Sequence, residues 1–298
     1  MWKGMALLCL GVIGVGAGCC ENRDAGPALD GSIVCVRLGS SVDRIQLDNW
    51  ASTRLMEGWS TSRGSGGVGG IYRDVAIVGM QDKGYGAGVG IYEVPLGGGA
   101  ARRLSTGDVP RVTADGKWIV FCGLGREGRD DVPLFRMAVG GGGADSFGVV
   151  RDMRTEVGWL GGYAAVALDS DCVAVVGPEG GVWRYKVGSG QRARVGGAGL
   201  VPEFWEGTTG QLVCARAGER RNHVALNIRT GETRELPALY GAVGYASSRR
   251  GGLTLFVRPG RPRPGRDSWQ LMVYEWSSGK SYVVRPDFYF AENGIWTE

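Results

Sequence analysis

Short runs of alternating apolar and polar residues recur along the chain, and turns rich in glycine separate them. Five segments share one plan, an alternating strand, a glycine-containing turn and a second short strand: IYEVPLGGGAARRL, LFRMAVGGGGADSF, WRYKVGSGQRARV, VALNIRTGETREL and LMVYEWSSGKSYVV. The last turn glycines, Gly99, Gly143, Gly190, Gly231 and Gly279, are 44, 47, 41 and 48 residues apart. A period of this length predicts a repeat architecture with one supersecondary unit per repeat.

A sixth copy, VDRIQLDNWASTRLM, lies around Ala51, 48 residues before Gly99, and it lacks the turn glycine. Another apolar strand lies upstream of each hairpin: SIVCVRL, DVAIVGM, KWIVFCG, DCVAVVG, QLVCARA and LTLFVRP. Each unit therefore supplies at least three strands. Four-stranded units at this period are typical of β-propeller blades, so the pattern predicts six blades.

The remaining, innermost strand of each blade is expected just before these apolar runs, and the candidates are GDVPRVT, TEVGWLG, LVPEFWE and YGAVGYAS. Nothing suitable precedes Gly31, but residues 287–296 form a strand-like segment without a hairpin of its own. We predict that this segment completes the first blade, because pairing the chain ends removes exposed sheet edges. The predicted fold is all-β: a six-bladed β-propeller of four-stranded antiparallel blades over residues 31–298, closed by its N- and C-terminal strands.

Composition and charge agree with this fold and limit the classes of binding partner. The chain has 55 glycines, too many for long helices because each interior glycine costs roughly 1 kcal/mol relative to alanine. Lys3 is the only charged residue among residues 1–18, so the remainder carries 33 basic and 30 acidic side chains, a net charge of +3. This balance of charge argues against a nucleic-acid partner. We also expect the protein to be a monomer.

The N-terminus has the pattern of an export signal. A short basic start is followed by an apolar run over residues 5–15, too short to span a bilayer, and then by small residues. Gly16-Ala17-Gly18-Cys19 resembles a bacterial lipobox, whose cysteine becomes the acylated first residue, although Gly16 replaces the usual leucine. We therefore predict a signal peptide over residues 1–18, lipidation at Cys19 and a polar tether over 19–30. The protein would be anchored at the cell envelope by its lipid alone; the alternative is a soluble periplasmic or secreted protein.

One stretch resembles a known family. LSTGDVPRVTADGKWIVFCG is similar to the TolB-type propeller repeat at Leu104-Ser105, Pro110, Asp115-Gly116-Lys117 and Ile119-Val120-Phe121. It departs from that repeat at Val112-Thr113, where the family has an aromatic–serine pair, and at Ala114, where it has proline. The resemblance implies the propeller fold far more than a function. We expect a relative in architecture that lacks the additional α/β domain of TolB.

Few residues point to catalysis or metal binding. His223, the only histidine, is interpreted as an incidental surface residue in GERRNHVALN. No Cys-x-x-Cys or Cys/His spacing indicates a metal site, so we predict neither a metal nor a cofactor. Four cysteines follow the N-terminal residues 1–30, and all of them lie within or beside apolar runs. They are expected to be free thiols packed as small apolar side chains: Cys35, Cys122, Cys172 and Cys214.

Two surfaces are candidates for binding. Aligning the inner strands on Pro110 and Pro202 brings Arg111, Glu203 and, by extension, Glu156 to the lining of the central channel, where they could bind a ligand. The second surface is the segment RPGRPRPGR. An anionic partner would bind its four arginines, Arg258, Arg261, Arg263 and Arg266. This segment shares one face of the ring with GERRNH if both connect the second and third strands of their blades.

The leading hypothesis is an exported, lipid-anchored propeller that binds or scaffolds an unknown envelope protein or glycan. The alternative is a propeller enzyme, a glycan hydrolase or lyase or a lactonase, that uses the channel mouth. No catalytic residue is assigned from the sequence. An enzyme should bring several ionisable groups together in one funnel and shift the pKa of its carboxylates.

Overall fold

Six four-stranded antiparallel sheets form the molecule, so the predicted fold class is confirmed. The computed structural model describes residues 27–37, 41–57, 67–81, 89–123, 131–151, 165–216, 222–247, 251–260, 269–286, 288 and 291–297. A short 3-10 helix over Pro237–Leu239 is the helical element within those ranges. No helix in this part of the chain is long and apolar enough to cross a membrane.

Each sheet is one blade, and the blades follow one another along the chain. The strands of blade one are β1 (Ser32–Arg37), β2 (Ser41–Gln46), β3 (Ser52–Glu57) and the last strand of the chain, β24 (Ala291–Thr297). Those of blade two are β4 (Gly67–Tyr72), β5 (Val75–Gln81), β6 (Val89–Pro95) and β7 (Arg102–Thr106). Blade three has β8 (Asp108–Val112), β9 (Trp118–Cys122), β10 (Asp131–Ala138) and β11 (Asp145–Arg151).

The second half of the ring repeats the plan. Blade four has β12 (Ala165–Ala167), β13 (Cys172–Val176), β14 (Val182–Lys186) and β15 (Arg192–Arg194). Blade five has β16 (Leu200–Glu206), β17 (Gln211–Arg216), β18 (His223–Asn227) and β19 (Thr233–Glu235). Blade six has β20 (Val243–Ser247), β21 (Leu253–Pro259), β22 (Trp269–Glu275) and β23 (Lys280–Pro286).

The ring closes through its two chain ends, as predicted. The inner strands β24, β4, β8, β12, β16 and β20 each contact the next, and β20 contacts β24 again. Strand β24 pairs antiparallel with β1, so that Ile33 lies opposite Trp296. The Trp296 indole is buried, and its Nε1 donates to the Asp30 carbonyl oxygen at 2.8 Å. The last strand is thereby fixed to the residues that precede the first.

Apolar side chains fill the seams between neighbouring blades. In the seam between blades two and three, Ile77 packs with Ile119 and Phe121. The opposite face of β9 carries Val120 and Cys122, which pack against blade four. Strands covered on both faces need apolar residues at successive positions, and this is why runs such as WIVFC do not alternate. Six such clusters occur in the described residues, one for each seam.

The turn between the third and fourth strands of a blade explains both the repeated glycine and its absence in blade one. Gly231 has φ of +77° and donates its amide to Asn227 O at 2.8 Å. Trp50 takes the same place in blade one, with φ of +62° and its amide 3.0 Å from Gln46 O. Its ring lies under the Arg285 guanidinium, 4.9 Å from the centroid. This contact favours tryptophan where the backbone favours glycine.

The predicted inner strand of blade four was wrong. TEVGWLG lies outside the described residues, and the strand that pairs with β13 in the inner position is Ala165–Ala167. A tight turn over residues 168–171 joins it to β13, with the Leu168 amide donating to Cys172 O at 2.9 Å. Because this turn is so short, the inner strand must lie immediately before it.

The four cysteines of the ring are free thiols, as expected, and three of them are buried. Burial raises the pKa of the Cys214 thiol well above its ordinary value. Cys172 is partly exposed, and burial together with the nearby Asp171 carboxylate raises its pKa. Both shifts keep these two thiols, Cys172 and Cys214, protonated at neutral pH.

Candidate functional site

The inner strand of blade five carries an irregularity that turns one acidic side chain out of the ladder. Strand β16 pairs with β17 through Pro202 and Phe204, and the register shift between them leaves Glu203 without a cross-strand partner. The same shift leaves out Gly69 in blade two and Gly244 in blade six. A bulge re-aims the side chain of the extra residue. Of these three bulges, that of blade five alone has a side chain to re-aim.

The Glu203 side chain reaches across its blade to His223, at the seam with blade six. His223 Nε2 lies 2.9 Å from Glu203 Oε2 and 2.6 Å from the hydroxyl oxygen of Tyr245, which belongs to the inner strand of blade six. His223 and Tyr245 are buried, whereas 24% of the Glu203 side chain is exposed. The arrangement joins two blades and leaves one carboxylate open at its end.

His223 is therefore not the incidental surface residue that the sequence suggested. It is the first residue of β18, lies opposite Ala215 and is 1% exposed. Its side chain points to the same seam as that of Ala225, two residues later. The alternation in HVALN was the available signal, and the polar run before it concealed where the strand begins.

The hydrogen bonds of His223 favour one protonation state. Nε2 carries either a proton or a lone pair. A proton there can be donated to the Glu203 carboxylate, whereas a lone pair would face the carboxylate oxygen without a hydrogen between them. Nδ1 is buried and has no hydrogen-bond partner among the described residues. A proton on Nδ1 would be an unsatisfied buried donor, which is costly. The geometry thus favours the neutral imidazole protonated at Nε2.

Arg111 lies on the inner strand of blade three, as predicted, but its guanidinium contacts backbone. Its Nε donates to Ala165 O of blade four, and one terminal nitrogen donates to Pro110 O, both at 2.8 Å. These bonds tie two blades together near the axis. Blade four separates Arg111 from Glu203, and Glu156 lies outside the described residues. The assignment of these residues to a ligand remains a prediction.

Among the described residues, the carboxylates with lowered pKa values are separate: Asp115 lies in a turn of blade three, Glu206 ends the inner strand of blade five, and Glu235 lies in the outer strand β19. Burial raises the pKa of Glu206, but hydrogen bonds from Thr209, Gly252 and Thr208 outweigh it, so its pKa is lowered. Burial likewise opposes the hydrogen bonds from Thr113 and Lys117 that lower the pKa of Asp115. In the described ranges, no group of three or more His, Cys, Asp and Glu side chains could hold a metal ion.

The second candidate surface lies at one end of the ring. Strand β17 ends at Arg216 before β18 begins, and β21 ends at Pro259 before β22 begins. Because β17 and β21 are second strands of their blades, Arg216 and Pro259 at their ends lie at the same end of the ring. Arg258 lies in β21 and is partly exposed, whereas Arg261, Arg263 and Arg266 are outside the described residues.

Comparisons with known proteins support the architecture alone. No family model and no curated protein matches the chain. TolB from Acinetobacter baumannii is similar in structure, with a TM-score of 0.61 and 13% identity over 89% of this chain and 65% of that one. A mutant puromycin hydrolase complexed with PGG has a TM-score of 0.56 and 14% identity over 83% of this chain and 42% of that one.

An oligogalacturonate lyase in complex with manganese is also similar, with a TM-score of 0.51 and 18% identity over 81% of this chain and 69% of that one. The chain thus spans less than two thirds of the length of the TolB and puromycin hydrolase structures. The resemblance to TolB-type propellers is confirmed at the level of fold. Identities this low show a common fold and do not transfer an activity.

Proposed function

We propose that this protein is a binding module of the cell envelope, anchored by an acylated Cys19 and directed at an envelope protein or glycan that carries negative charge. The N-terminal sequence supports the anchor, since its apolar run and Gly16-Ala17-Gly18-Cys19 resemble a lipoprotein signal. The arginines of the segment 258–266 supply the charge for the partner. The orientation of the ring relative to its N-terminus is the other support.

The observation that carries the proposal is the polarity of the ring. Strand β1 begins at Ser32, beside the β2–β3 turn, where the Leu47 amide donates to Gly31 O at 2.9 Å. The chain therefore enters at the end of the ring that carries this turn. Both β1 and β21 are second strands of their blades and run in the same direction. Because Arg258 is near the end of β21, it lies at the opposite end of the ring.

If the tether, residues 19–30, is attached at the entry end of the ring, the end that carries Arg258 faces away from the bilayer. Residues 19–30 span at most about 40 Å when extended, so the ring would stay close to the membrane surface. A lipid-anchored ring of this polarity presents the arginines to partners outside the membrane plane. The alternative, a propeller enzyme acting on a glycan or lactone, rests on Glu203 and His223 as an acid–base pair.

Mass spectrometry of the mature N-terminus, isolated from native membranes, tests the anchor. We expect a diacylglyceryl-modified and cleaved Cys19, and we expect Cys19→Ser to move the protein out of the membrane fraction. An unmodified terminus, or a Cys19→Ser protein that stays with the membrane, would show that the anchor is wrong.

Cross-linking and pull-down from the native envelope test the binding surface. A variant with Arg258, Arg261, Arg263 and Arg266 all changed to glutamate should lose the partner, and wild-type capture should weaken as salt is raised. Arg229→Glu is the control, because Arg229 is exposed in the β18–β19 turn at the other end of the ring. Equal recovery by the quadruple variant would refute the arginine surface. Turnover of a glycan or lactone that Glu203→Gln abolishes would instead support the enzyme.

A further inference from the structure

We propose that Glu203 anchors a second ligand site, at the inner end of the seam between blades five and six, and that this site takes a cationic amine. His223 and Tyr245 are its positioning residues. The site differs in place and in charge from the arginine surface, and it does not depend on the envelope anchor.

No cationic side chain of the described residues compensates the charge of Glu203. Its one polar partner in the described structure is His223 Nε2, bound to Oε2. No lysine or arginine of the described ranges lies within salt-bridge distance of it, and Oε1 has no bonded partner there. A partly exposed carboxylate forms strong, charge-assisted hydrogen bonds with ammonium donors.

His223 holds the carboxylate without neutralising it. A charged imidazolium would need an acceptor at Nδ1, and this buried atom has none among the described residues. The hydrogen-bond geometry therefore favours the neutral ring, so that a bound ligand would bring the positive charge. This is the reason for preferring a cationic amine over a neutral or anionic ligand.

The carboxylate is also fixed in position before any ligand arrives. The bulge sets the direction of Glu203, and the buried His223 ring packs edge-on against Tyr245 with centroids 5.9 Å apart. Tyr245 in turn packs on Phe204, with centroids 4.6 Å apart. A group held by packing and by second hydrogen bonds loses little conformational freedom on binding.

The lone histidine makes the site directly observable. In ¹⁵N-labelled full chain, purified in detergent with a histidine-free tag, every imidazole signal belongs to His223. We expect long-range ¹H–¹⁵N spectra at neutral pH to show the neutral form protonated at Nε2. A proton on Nδ1 or a charged ring would overturn the assigned role of His223.

Titration with butylamine, followed at the same signals, tests the ligand class. We expect a saturable shift with butylamine and none with butyrate at equal concentration. Two further arms distinguish the source of the amine: glucosamine stands for an amino sugar, and N-acetyl-lysine amide stands for a protein side chain. Tighter binding of one identifies the source. No saturable response to any amine would refute the site.

Variants separate the anchor from its supports. Glu203→Gln should weaken butylamine binding roughly tenfold or more. The reason is that a hydrogen bond to a charged group contributes more free energy than a tenfold change in affinity requires. Glu232→Gln, an exposed carboxylate in the β18–β19 turn, should bind like wild type. Equal affinity of the Glu203→Gln variant would refute the proposal.

The positioning role of His223 is tested by rescue. His223→Gln keeps a neutral N–H donor and should retain more affinity than His223→Leu. Tyr245→Phe removes one hydroxyl from the cluster and should both weaken binding and shift the imidazole signals. If a His223 variant fails to fold, the Tyr245→Phe result decides, and unchanged affinity with unchanged signals would refute positioning.

Discussion

Glu206→Gln should destabilise the ring strongly, although the substitution changes one atom of a side chain. Glu206 is the last residue of β16 and is 2% exposed. Its Oε2 accepts from the Thr209 amide at 2.6 Å and from the Thr209 hydroxyl at 2.5 Å. Its Oε1 accepts from the amides of Thr208 at 3.2 Å and Gly252 at 3.4 Å. The carboxylate thus holds its own turn and joins it to blade six.

The magnitude follows from counting these bonds. Glutamine supplies one acceptor oxygen, and its NH₂ group must face two of the four donors, so about two hydrogen bonds are lost and the other two become neutral. Hydrogen bonds to charged groups contribute about 1.5–3 kcal/mol each and neutral ones about half of that. At full strength these losses would sum to about 4–9 kcal/mol. Because the two bonds to Oε1 are long, at 3.2 and 3.4 Å, and contribute little, we expect a loss of about 2–4 kcal/mol in the free energy of unfolding. For a domain of this size this lowers Tm by about 4–8 °C.

The effect should depend on pH in a defined direction. The folded protein lowers the pKa of Glu206 below its ordinary value of 4.5. A carboxylate whose folded pKa is depressed contributes fully above its unfolded pKa, and the contribution is lost as pH falls through the folded pKa. The difference in stability between wild type and Glu206→Gln should therefore be constant from pH 6 to 8. It should shrink once the pH falls below about 4.

Urea denaturation of both proteins at pH 7 and pH 3, followed by tryptophan fluorescence, measures this difference. Glu232→Gln is the control, and as an exposed substitution it should change stability by less than about 0.5 kcal/mol. Thr209→Val, combined with Glu206→Gln, should give less than the sum of the two single effects. Equal stability at pH 7, or a difference that persists undiminished at pH 3, would refute the reasoning.

Three further substitutions probe the blades and their closure. Arg136→Lys should lower the free energy of unfolding by about 1–3 kcal/mol in urea denaturation, because the guanidinium binds the backbone of blade four and stacks on the Trp118 indole. The exposed Arg229→Lys is the control and should leave stability unchanged. Equal effects of the two substitutions would contradict this. Gly231→Ala, at a positive φ, should lower the free energy of unfolding by about 1 kcal/mol. Gly97→Ala should leave it unchanged, because a Cβ there would meet no atom within 4 Å. A larger loss for Gly97→Ala than for Gly231→Ala would contradict the role of Gly231 in its turn. Trp296→Ala should cost about 3–5 kcal/mol in calorimetry, and a Tm unchanged from wild type would show that ring closure does not depend on this side chain.

The periodic features of the fold were predictable because they follow from local rules. Gly190, Gly231 and Gly279 all have positive φ in equivalent turns, so their spacing reported the blade repeat. The Asp115-Gly116 turn was also readable, since Gly116 has φ of +68° and Asp115 Oδ1 accepts from the Thr113 hydroxyl at 2.7 Å. Both depend on residues within a few positions of each other. Blade number followed from these local signals, and ring closure followed from the strand-like segment 287–296, which has no hairpin of its own.

Two features that the sequence left unexplained or misjudged depend on another blade. Trp50 replaces a turn glycine because Arg285, far away in the chain, covers its ring. His223 lies within a polar sequence, yet Tyr245 of the next blade buries it. No window of sequence around His223 contains that partner.

The sequence by itself determined the repeat, the all-β fold and the pairing of the chain ends, because strand alternation and turn chemistry are encoded within short segments. It also supplied the N-terminal signal pattern and the lone histidine. Only the tertiary structure decided that Glu203 leaves the ladder at a bulge and meets His223 at a seam. Such contacts join strands of different blades, and their geometry is set by how the blades pack around the axis.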